Sequence, residues 1–253
     1  MTNYMSKEQR TTTPKVLVII PAYNEERTIV PVATSVTKLG YDLVVVNDGS
    51  HDSTRSLCEE HNIPILNLPY NLGIGGAVQT GHKYAYLKDY DIDIQFDGDG
   101  QHDETYIPAL IEAIQEGSDL VIGSRFVEEK TKGVQAQAQN FRSTKLRRVG
   151  IRWLSFWIKL FSKQRVYDPT SGFRAAGKKA IRLFAEDYPS DYPEPESIVD
   201  ASKKSLKISE VPVQMKERKE GTSSIGGLGS IYYMMKVSLE IAIIAIFKRK
   251  ERW

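Results

Sequence analysis

The sequence predicts an α/β fold with a mostly parallel sheet flanked by helices. Apolar runs of strand length alternate with segments of helical length through the first half of the chain, which is the pattern of βα units. Several of these runs, as at residues 16–20 and 43–47, are continuously apolar. Such runs are typical of strands covered on both faces. In this class of fold, functional groups lie at the carboxyl ends of the strands.

The elements are expected in a regular order. Strands are predicted at residues 16–20, 43–47, 65–68, 93–96 and 119–123, with helices over about 26–39, 53–60, 71–87 and 105–115. A loop at 127–141 precedes a basic helix at 145–162, a turn-rich segment at 168–174 and a helix at 178–184. The prolines at 193 and 195 delay the next helix to 196–202. Alternation over 207–215 predicts an edge strand, followed by a loop at 218–229 and a helix at 231–247.

Length and composition fit one large domain with short flanking segments. We expect a disordered lead at residues 1–13, the main domain at 14–225 and an amphipathic helical extension at 226–253, which is membrane-interfacial or dimerising. The net charge of +2 gives no argument for nucleic acid. One cysteine, Cys58, excludes an internal disulfide and fits a reducing compartment. No signal peptide or transmembrane helix is predicted.

Two carboxylates, Asp97 and Asp99, follow the fourth predicted strand with a glycine between them. At this spacing they can bind one hard cation, Mg²⁺ or Mn²⁺, which fills its other positions with water and phosphate oxygens. The alternative is a polar turn with solvated aspartates. Polar side chains follow three other predicted strands in the same way, at residues 23–25, Asp48 and Arg125. The sequence therefore favours a diphosphate-handling site at one edge of the sheet.

A glycine loop at residues 71–76 opens the third predicted helix. The spacing of Gly73, Gly75 and Gly76 is not the G-x-G-x-x-G of a dinucleotide site, and the loop follows the third strand rather than the first. The sequence has no P-loop pattern either. The glycines instead allow close approach of the backbone to a nucleotide.

Five motifs occur in the order seen in family 2 glycosyltransferases: Pro21-Ala-Tyr-Asn-Glu25, Val46-Asn-Asp-Gly-Ser50, Asn71-Leu-Gly-Ile-Gly-Gly76, Asp97-Gly-Asp-Gly-Gln-His102 and Gly123-Ser-Arg125. Two more, Asp168-Pro-Thr-Ser-Gly-Phe-Arg174 and Glu210-Val-Pro-Val213, extend the similarity over about residues 15–225. The chain resembles the branch of that family related to dolichyl-phosphate mannose synthase and bacterial polyprenyl-phosphate glycosyltransferases.

The resemblance implies a GT-A fold and an inverting, metal-dependent glycosyltransferase. Its donor would be a nucleoside diphosphate sugar, with UDP favoured over GDP. Its acceptor would be a polyprenyl phosphate or a lipid-linked glycan. The alternatives are a transferase acting on a sugar hydroxyl and a non-catalytic nucleotide-sugar-binding subunit. A nucleotidyltransferase ranks lower, because a glycine- and arginine-rich loop would then follow the first strand.

The resemblance also implies roles for the matched residues. Residues at the nucleotide would be Pro21, Tyr23, Glu25, Asp48, Gly76, Asp97 and Gly98. The metal would be held by Asp97 and Asp99, with Gln101 nearby, and Asp99, Arg125 and Glu196 form the candidate catalytic set. Simple packing of Tyr23 and helix capping by residues 48–50 are the structural alternatives.

Basic and hydroxyl side chains are the candidates for binding the diphosphate and the acceptor phosphate, because a guanidinium suits phosphate geometry. These candidates are Arg125, Arg147, Arg218, Lys219 and Ser223. A surface salt bridge is the alternative for Arg125, and a solvated loop is the alternative for residues 218–224.

The acceptor class decides whether a catalytic base is required. A sugar hydroxyl must lose a proton during attack, and Glu196 or Glu194 is then the candidate base. Glu196 is favoured because it stands at the predicted helix start. A phosphate acceptor is already an anion at pH 7 and needs no strong base.

The charge distribution suggests a membrane surface. Residues 131–167 contain no Asp or Glu, while eight Lys or Arg fall between Arg142 and Arg165. In the same segment Trp153 and Trp157 share a helix face, as in helices that lie in a membrane interface. Packing against the domain or a second copy is the alternative. We expect a cytoplasmic protein, peripheral on the inner face of the membrane, alone, with a small membrane partner protein, or as a homo-oligomer.

Overall fold

A computed structural model describes residues 13–127, 145–216, 236–240 and 243, with the side chains of residues 145–148 outside that description. The seven strands of its single sheet are β1 Val16–Ala22, β2 Asp42–Asn47, β3 Ile65–Asn67, β4 Ile92–Gln95, β5 Leu120–Ser124, β6 Arg174–Gly177 and β7 Ile208–Pro212. The helices are α1 Ile29–Lys38, α2 Thr54–Glu60, α3 Gly73–Leu87, α4 Ile107–Gln115, α5 Lys145–Ser162, α6 Lys178–Glu186 and α7 Pro193–Lys203.

The strand order is β3-β2-β1-β4-β6-β5-β7, and every pairing is parallel except the two made by β6. The predicted α/β class with a mostly parallel sheet is therefore confirmed. The predicted edge strand is also present, as β7. Because β6 runs against its neighbours, its amino end lies at the edge where the other strands have their carboxyl ends. Residues 168–173, which precede β6, are thereby brought to the functional edge.

Helices cover both faces of the sheet, as the continuous apolar runs predict. Val18 and Ile20 of β1 pack in one core cluster with residues of α1 and α4. Leu17 and Ile19, on the opposite face of the same strand, pack with residues of α3 and α6. A third cluster joins α5 and α7 to Val237 of the C-terminal segment.

Two element predictions are corrected. The sequence predicts a turn-rich segment that ends at Arg174 and a helix from residue 178, with no strand between them. Residues 174–177 have no β-branched or aromatic side chain, but pairing with both β4 and β5 makes them strand β6. Helix α7 begins at Pro193 rather than at residue 196. Proline is compatible with the first turn of a helix, where the N–H groups have no intrahelical acceptor.

Several expectations fall outside the described residues. They are the lead at residues 1–12, most of the loop at 127–141, the loop at 218–229 and most of the helix at 231–247. The domain boundaries at residues 13 and 225 remain predictions.

Candidate active site

The loops after β1 and β2 are connected by hydrogen bonds. The Asn24 backbone N–H donates to Ser50 Oγ at 2.9 Å, and the His51 N–H donates to Asn24 Oδ1 at 2.8 Å. Asn24 has a φ of 58°, a conformation that asparagine tolerates better than most residues. The Tyr23 side chain projects from this loop, 45% exposed, with its ring edge-on to His51. An exposed aromatic ring in a rigid loop can stack on a nucleobase.

Asp48 is buried at the end of β2 and attaches the glycine loop to the site. Its Oδ1 accepts the Leu72 backbone N–H at 2.7 Å, at the start of α3. A Cβ on Gly49 would lie 3.0 Å from the Asn71 nitrogen, so the two loops are in close contact. Asp48 thus binds the residue before α3, which is not the helix that follows residues 48–50 in sequence, so this bond does not support the capping alternative. Gly76 lies in the first turn of that helix.

The loop after β1 also contacts the metal motif. A Cβ on Gly98 would lie 3.1 Å from the Pro21 carbonyl oxygen and 3.6 Å from Glu25 Cγ. One Glu25 carboxylate oxygen accepts a hydrogen bond from Thr28 Oγ1 at 2.9 Å. The structure therefore brings together Pro21, Glu25 and Gly98, three of the residues predicted at the nucleotide.

The two aspartates of the motif are oriented by the residues that follow them. The Gln101 backbone N–H donates to Asp99 Oδ1 at 3.0 Å. His102 Nδ1 accepts the Asp97 backbone N–H at 3.0 Å, while its Nε2 lies 3.3 Å from Asp97 Oδ2. Burial lowers the pKa of His102 to about 4, so the ring is neutral at pH 7 with its proton on Nε2. His102 stacks on Phe173 at 4.9 Å and supports the turn.

Gly172 lies directly against the Asp97 carboxylate. A Cβ at this position would stand 2.9 Å from Asp97 Oδ2 and 3.1 Å from Gln95 Nε2. Any side chain at 172 would therefore displace the aspartate. The segment before β6 thus forms one wall of the metal motif.

Arg125 forms a buried ion pair with Asp168. Its Nε and one terminal nitrogen each lie 2.7 Å from an oxygen of that carboxylate, and the same terminal nitrogen donates to Thr170 Oγ1 at 3.0 Å. Asp168 in turn accepts the Arg125 backbone N–H. The pair is not the surface salt bridge considered from sequence, because the Arg125 side chain is 6% exposed and that of Asp168 is 0% exposed. The fork-to-fork contact fixes the guanidinium plane.

Arg174 joins the loop before β6 to the start of α7. Its guanidinium donates to the carbonyl oxygens of Pro169 and Ser171, and to the Glu194 carbonyl and Ser197 Oγ at 2.8 and 2.9 Å. The buried arginine thus connects the two segments directly. The first turn of α7 is therefore positioned by the same loop that lies against Asp97.

The two glutamates of α7 face different surroundings. Burial raises the pKa of Glu194, and the negative charge of Asp97 raises it further. The Arg174 guanidinium and the Gln95 amide lower the pKa of Glu194 in part. Burial also raises the pKa of Glu196, to about 8, with further contributions from Glu240, Asp200 and Asp191. Glu196 as the base remains a prediction. The Asp97 charge acts on Glu194, whereas the charges that act on Glu196 are those of Glu240, Asp200 and Asp191.

Some candidates lie beyond description, and some site residues had no predicted role. Arg147 is in α5 but its side chain is not described, and Arg218, Lys219 and Ser223 lie outside the described residues. The residues with no predicted role are Gln95, Asp168, Gly172 and Arg174. The sequence does contain a signal for Gln95: polar residues alternate with apolar ones in a strand that is expected to be buried. For the others, the signal was the motif at 168–174 itself.

Among the described residues, no three His, Cys, Asp or Glu side chains are arranged to hold a metal by themselves. Asp97 and Asp99 stand one residue apart in the turn after β4, and each also makes contacts within the protein. Such a donor set fits a hard cation that completes its coordination with ligand oxygens and water. The same part of the chain contains no helix with the length and hydropathy needed to cross a bilayer.

Known proteins resemble this chain in sequence. The profile of Glycosyl transferase family 2 matches residues 17–187. A UDP-N-acetylglucosamine–dolichyl-phosphate N-acetylglucosaminyltransferase from Methanococcus voltae is 33% identical over 220 residues, covering 79% of this chain and 84% of that protein. A dolichol-phosphate mannosyltransferase from Pyrococcus furiosus is 32% identical over 247 residues, covering 92% of this chain and 67% of that protein.

Solved structures agree with the fold. Glucosyl-3-phosphoglycerate synthase from Mycobacterium tuberculosis, in complex with phosphoglyceric acid, matches with a TM-score of 0.67 at 19% identity, covering 90% of this chain and 80% of that one. The same enzyme with Mn²⁺, UDP and glucosyl-3-phosphoglycerate has a TM-score of 0.62 at 18% identity, covering 92% and 80%. The fold is GT-A. With its strand-end motifs assembled at one edge and the family profile covering most of the chain, this protein belongs to glycosyltransferase family 2 and is a glycosyltransferase.

Proposed function

We propose that this enzyme transfers a sugar from a nucleoside diphosphate sugar to a polyprenyl phosphate, with inversion at the anomeric carbon. The observation that carries the proposal is the position of the turn at residues 97–99: Gly98 lies against Pro21 and Glu25, and Asp97 lies against Gly172. The relatives named for dolichyl-phosphate acceptors support the acceptor class. UDP is favoured over GDP, because one of these relatives is named for a UDP sugar.

Asp97 and Asp99, with Gln101 nearby, would hold Mg²⁺ or Mn²⁺ at the diphosphate. When bound, the cation neutralises the diphosphate and stabilises the nucleoside diphosphate as it leaves. The protein's own residues orient the substrate around it. Tyr23 offers a ring face to the base, Asp48 holds the glycine loop near it, and His102 keeps the Asp97 carboxylate in place.

For the acceptor, Arg125 is the proposed phosphate-binding cation. Asp168 and Thr170 hold its guanidinium in one plane, and a fixed guanidinium loses little conformational entropy when it binds a phosphate oxygen. A phosphate nucleophile is anionic at pH 7, so this route requires no base. Arg147, Arg218, Lys219 and Ser223 remain candidates for further phosphate contacts.

One observation favours a second acceptor class. Glu194 is influenced by the Asp97 charge and has a raised pKa because of its burial, which are properties of a general base for a sugar hydroxyl. Replacing Glu194 by Gln separates the two routes. A large fall in turnover supports a hydroxyl acceptor, whereas retention of turnover supports a phosphate acceptor.

The functional test is a transfer assay with UDP- and GDP-sugars, a polyprenyl phosphate and Mg²⁺ or Mn²⁺. We expect a lipid-linked sugar as product, and a loss of at least about 100-fold in Asp99→Asn, because an amide is a poor ligand for a hard cation. Asp103→Asn, at the half-buried cap of the short helix that follows, is the matched control, because asparagine can keep the cap. Full activity in Asp99→Asn, or transfer that persists in a chelator, contradicts the proposal.

The α5 helix is the proposed membrane-contacting surface. Its exposed apolar residues are Val149, Trp153, Phe156 and Leu160, and its exposed basic residues include Arg152 and Lys159. These apolar residues recur every three or four positions and so form one stripe. An apolar stripe flanked by cations matches the interface of an anionic leaflet. We propose that α5 places the site next to the headgroup of the lipid acceptor on the cytoplasmic face.

A further inference from the structure

The central strand β4 carries polar side chains where the fold favours apolar ones. Asp93 is 0% exposed and Gln95 is 2% exposed. They stand two positions apart, so both project from the same face of the sheet. Burying such groups costs free energy unless they form hydrogen bonds. Two buried polar side chains on one face of a central strand indicate that they have a role, and the strand leads directly to the metal motif.

Each of these side chains is only partly satisfied. Asp93 Oδ2 lies 2.7 Å from His82 Nδ1, while its Oδ1 has no hydrogen-bond partner among the described residues. Gln95 Nε2 approaches the Glu194 carboxyl but likewise has no partner in hydrogen-bond geometry within the described chain. An amide nitrogen carries two N–H groups, so it can serve Glu194 and a second acceptor.

A cavity of about 10 Å³ is lined by both Asp93 and Gln95. Its polar lining comes from His82, Asp93, Gln95, Arg174, Tyr188 and Ser197. That volume is about the minimum for one water molecule, and a buried water needs two to four polar partners. The cavity therefore has both the size and the chemistry of a single-water site.

The cavity is linked to the metal motif through Gly172. A Cβ there would be 3.1 Å from Gln95 Nε2 and 2.9 Å from Asp97 Oδ2. The Gln95 amide and the Asp97 carboxylate therefore lie side by side against one glycine. Both groups therefore border the same small space beside Gly172.

We propose that one ordered water occupies this cavity, donating to Asp93 Oδ1 and accepting from Gln95 Nε2, and that Gln95 is a positioning residue for Asp97. The Asp93–His82 pair anchors the water, the water holds the Gln95 amide, and the amide fixes the orientation of the carboxylate. This inference rests on the proposed metal-dependent transfer.

The test combines a structure with metal binding. A crystal structure at a resolution that shows ordered water should contain a water within hydrogen-bond distance of Asp93 Oδ1 and Gln95 Nε2. Gln95→Met keeps the length of the side chain and removes the amide. We expect its Mn²⁺ affinity, measured by calorimetry with a nucleoside diphosphate, to fall about 10- to 100-fold, with a matching rise in the Mn²⁺ concentration for half-maximal activity.

Gln115→Met, the same change on the exposed end of α4, is the matched control and should behave as wild type. A cavity that contains no water in the crystal structure contradicts the proposed water site. Unchanged Mn²⁺ affinity in folded Gln95→Met contradicts the proposed positioning role of Gln95. If Gln95→Met does not fold, the wild-type crystal structure decides both points: a Gln95 amide that does not contact the Asp97 carboxylate overturns the positioning role. Failure of the proposed function is a different result: wild type itself would then show no metal-dependent transfer with any donor.

Discussion

At the scale of single residues, the site depends on close contacts that leave no room for substitution. Gly172 is the sharpest case, since its missing Cβ makes space for the Asp97 carboxylate. The sequence predicted the aspartates, because carboxylates after an apolar strand are a local pattern. It did not predict Gly172 or Asp168 as site residues. Their roles arise from contacts across 43 and more positions of chain, such as the pairing of Arg125 with Asp168.

Gly172→Ala should therefore impair metal binding more than stability. The new methyl group would meet the Asp97 carboxylate at about 3 Å, so we expect turnover to fall at least about 10-fold, while overpacking destabilises by about 1–3 kcal/mol. Transfer rates across a Mn²⁺ titration, with thermal melting in parallel, measure both. Gly177→Ala is the control, because its nearest neighbour is an Ile114 methyl at 3.3 Å that can move. Wild-type metal dependence in Gly172→Ala would contradict the placement.

At the scale of elements, tertiary pairing overrides local preference where the sequence prediction was wrong. Strand β6 has little strand propensity of its own, yet it bridges β4 and β5. Helix α7 starts on a proline because proline is suited to a first turn. Its start matters for function, since one turn of α7 presents Glu194 to the metal motif and Glu196 to Glu240 on the C-terminal segment.

The Glu196 environment predicts a pH-dependent stability. Burial raises the pKa of Glu196 to about 8, above the unfolded value near 4.5, and the charges of Glu240, Asp200 and Asp191 add to the rise. Lys236 pairs with Asp191 and Glu240 in the same region. A raised pKa stabilises the fold fully below about pH 4.5, and that stabilisation is lost as pH rises through about 8. Glu196→Gln should thus be more stable than wild type at pH 8–9, by about 1–3 kcal/mol.

Chemical denaturation at pH 5, 7 and 9 measures this difference. An equal stability difference at all three values would contradict the assignment. Turnover of Glu196→Gln should stay within about two-fold of wild type, because this side chain faces the C-terminal segment. A large loss of turnover would instead support Glu196 as the base.

Helix α5 gives the second prediction at this scale. Replacing Phe156 and Leu160 by Ser removes exposed apolar area without touching the buried Leu154 and Ile158. We expect wild type to float with vesicles containing phosphatidylserine, and the double variant to remain with the soluble fraction. The control variant replaces two other exposed apolar residues by Ser, Tyr86 and Leu87 on α3. Wild-type protein that stays at the bottom of the gradient would refute the membrane role of α5.

At the scale of the whole molecule, the site is assembled from segments distant in sequence. The loops after β1, β2 and β4, the glycine loop and the segment before β6 meet at one edge. The sequence predicted this convergence because a parallel sheet forces it. The sequence could not predict that the antiparallel strand β6 would bring the segment before it to the same edge as a fifth part of the site. A ligand that contacts all of them binds only the folded chain and should stabilise the molecule as a whole.

Nucleotide binding should therefore raise the melting temperature in a metal-dependent way. A ligand present at 100 times its dissociation constant stabilises by about 2.7 kcal/mol, which is about 5–10 °C for a domain of this size. We expect UDP with Mn²⁺ to give this shift, GDP with Mn²⁺ a smaller one, and UDP in chelator little or none. Asp99→Asn should lose most of the shift while melting near wild type without ligand. An equal shift for UDP with and without the cation would show that Asp97 and Asp99 do not bind the diphosphate through a metal.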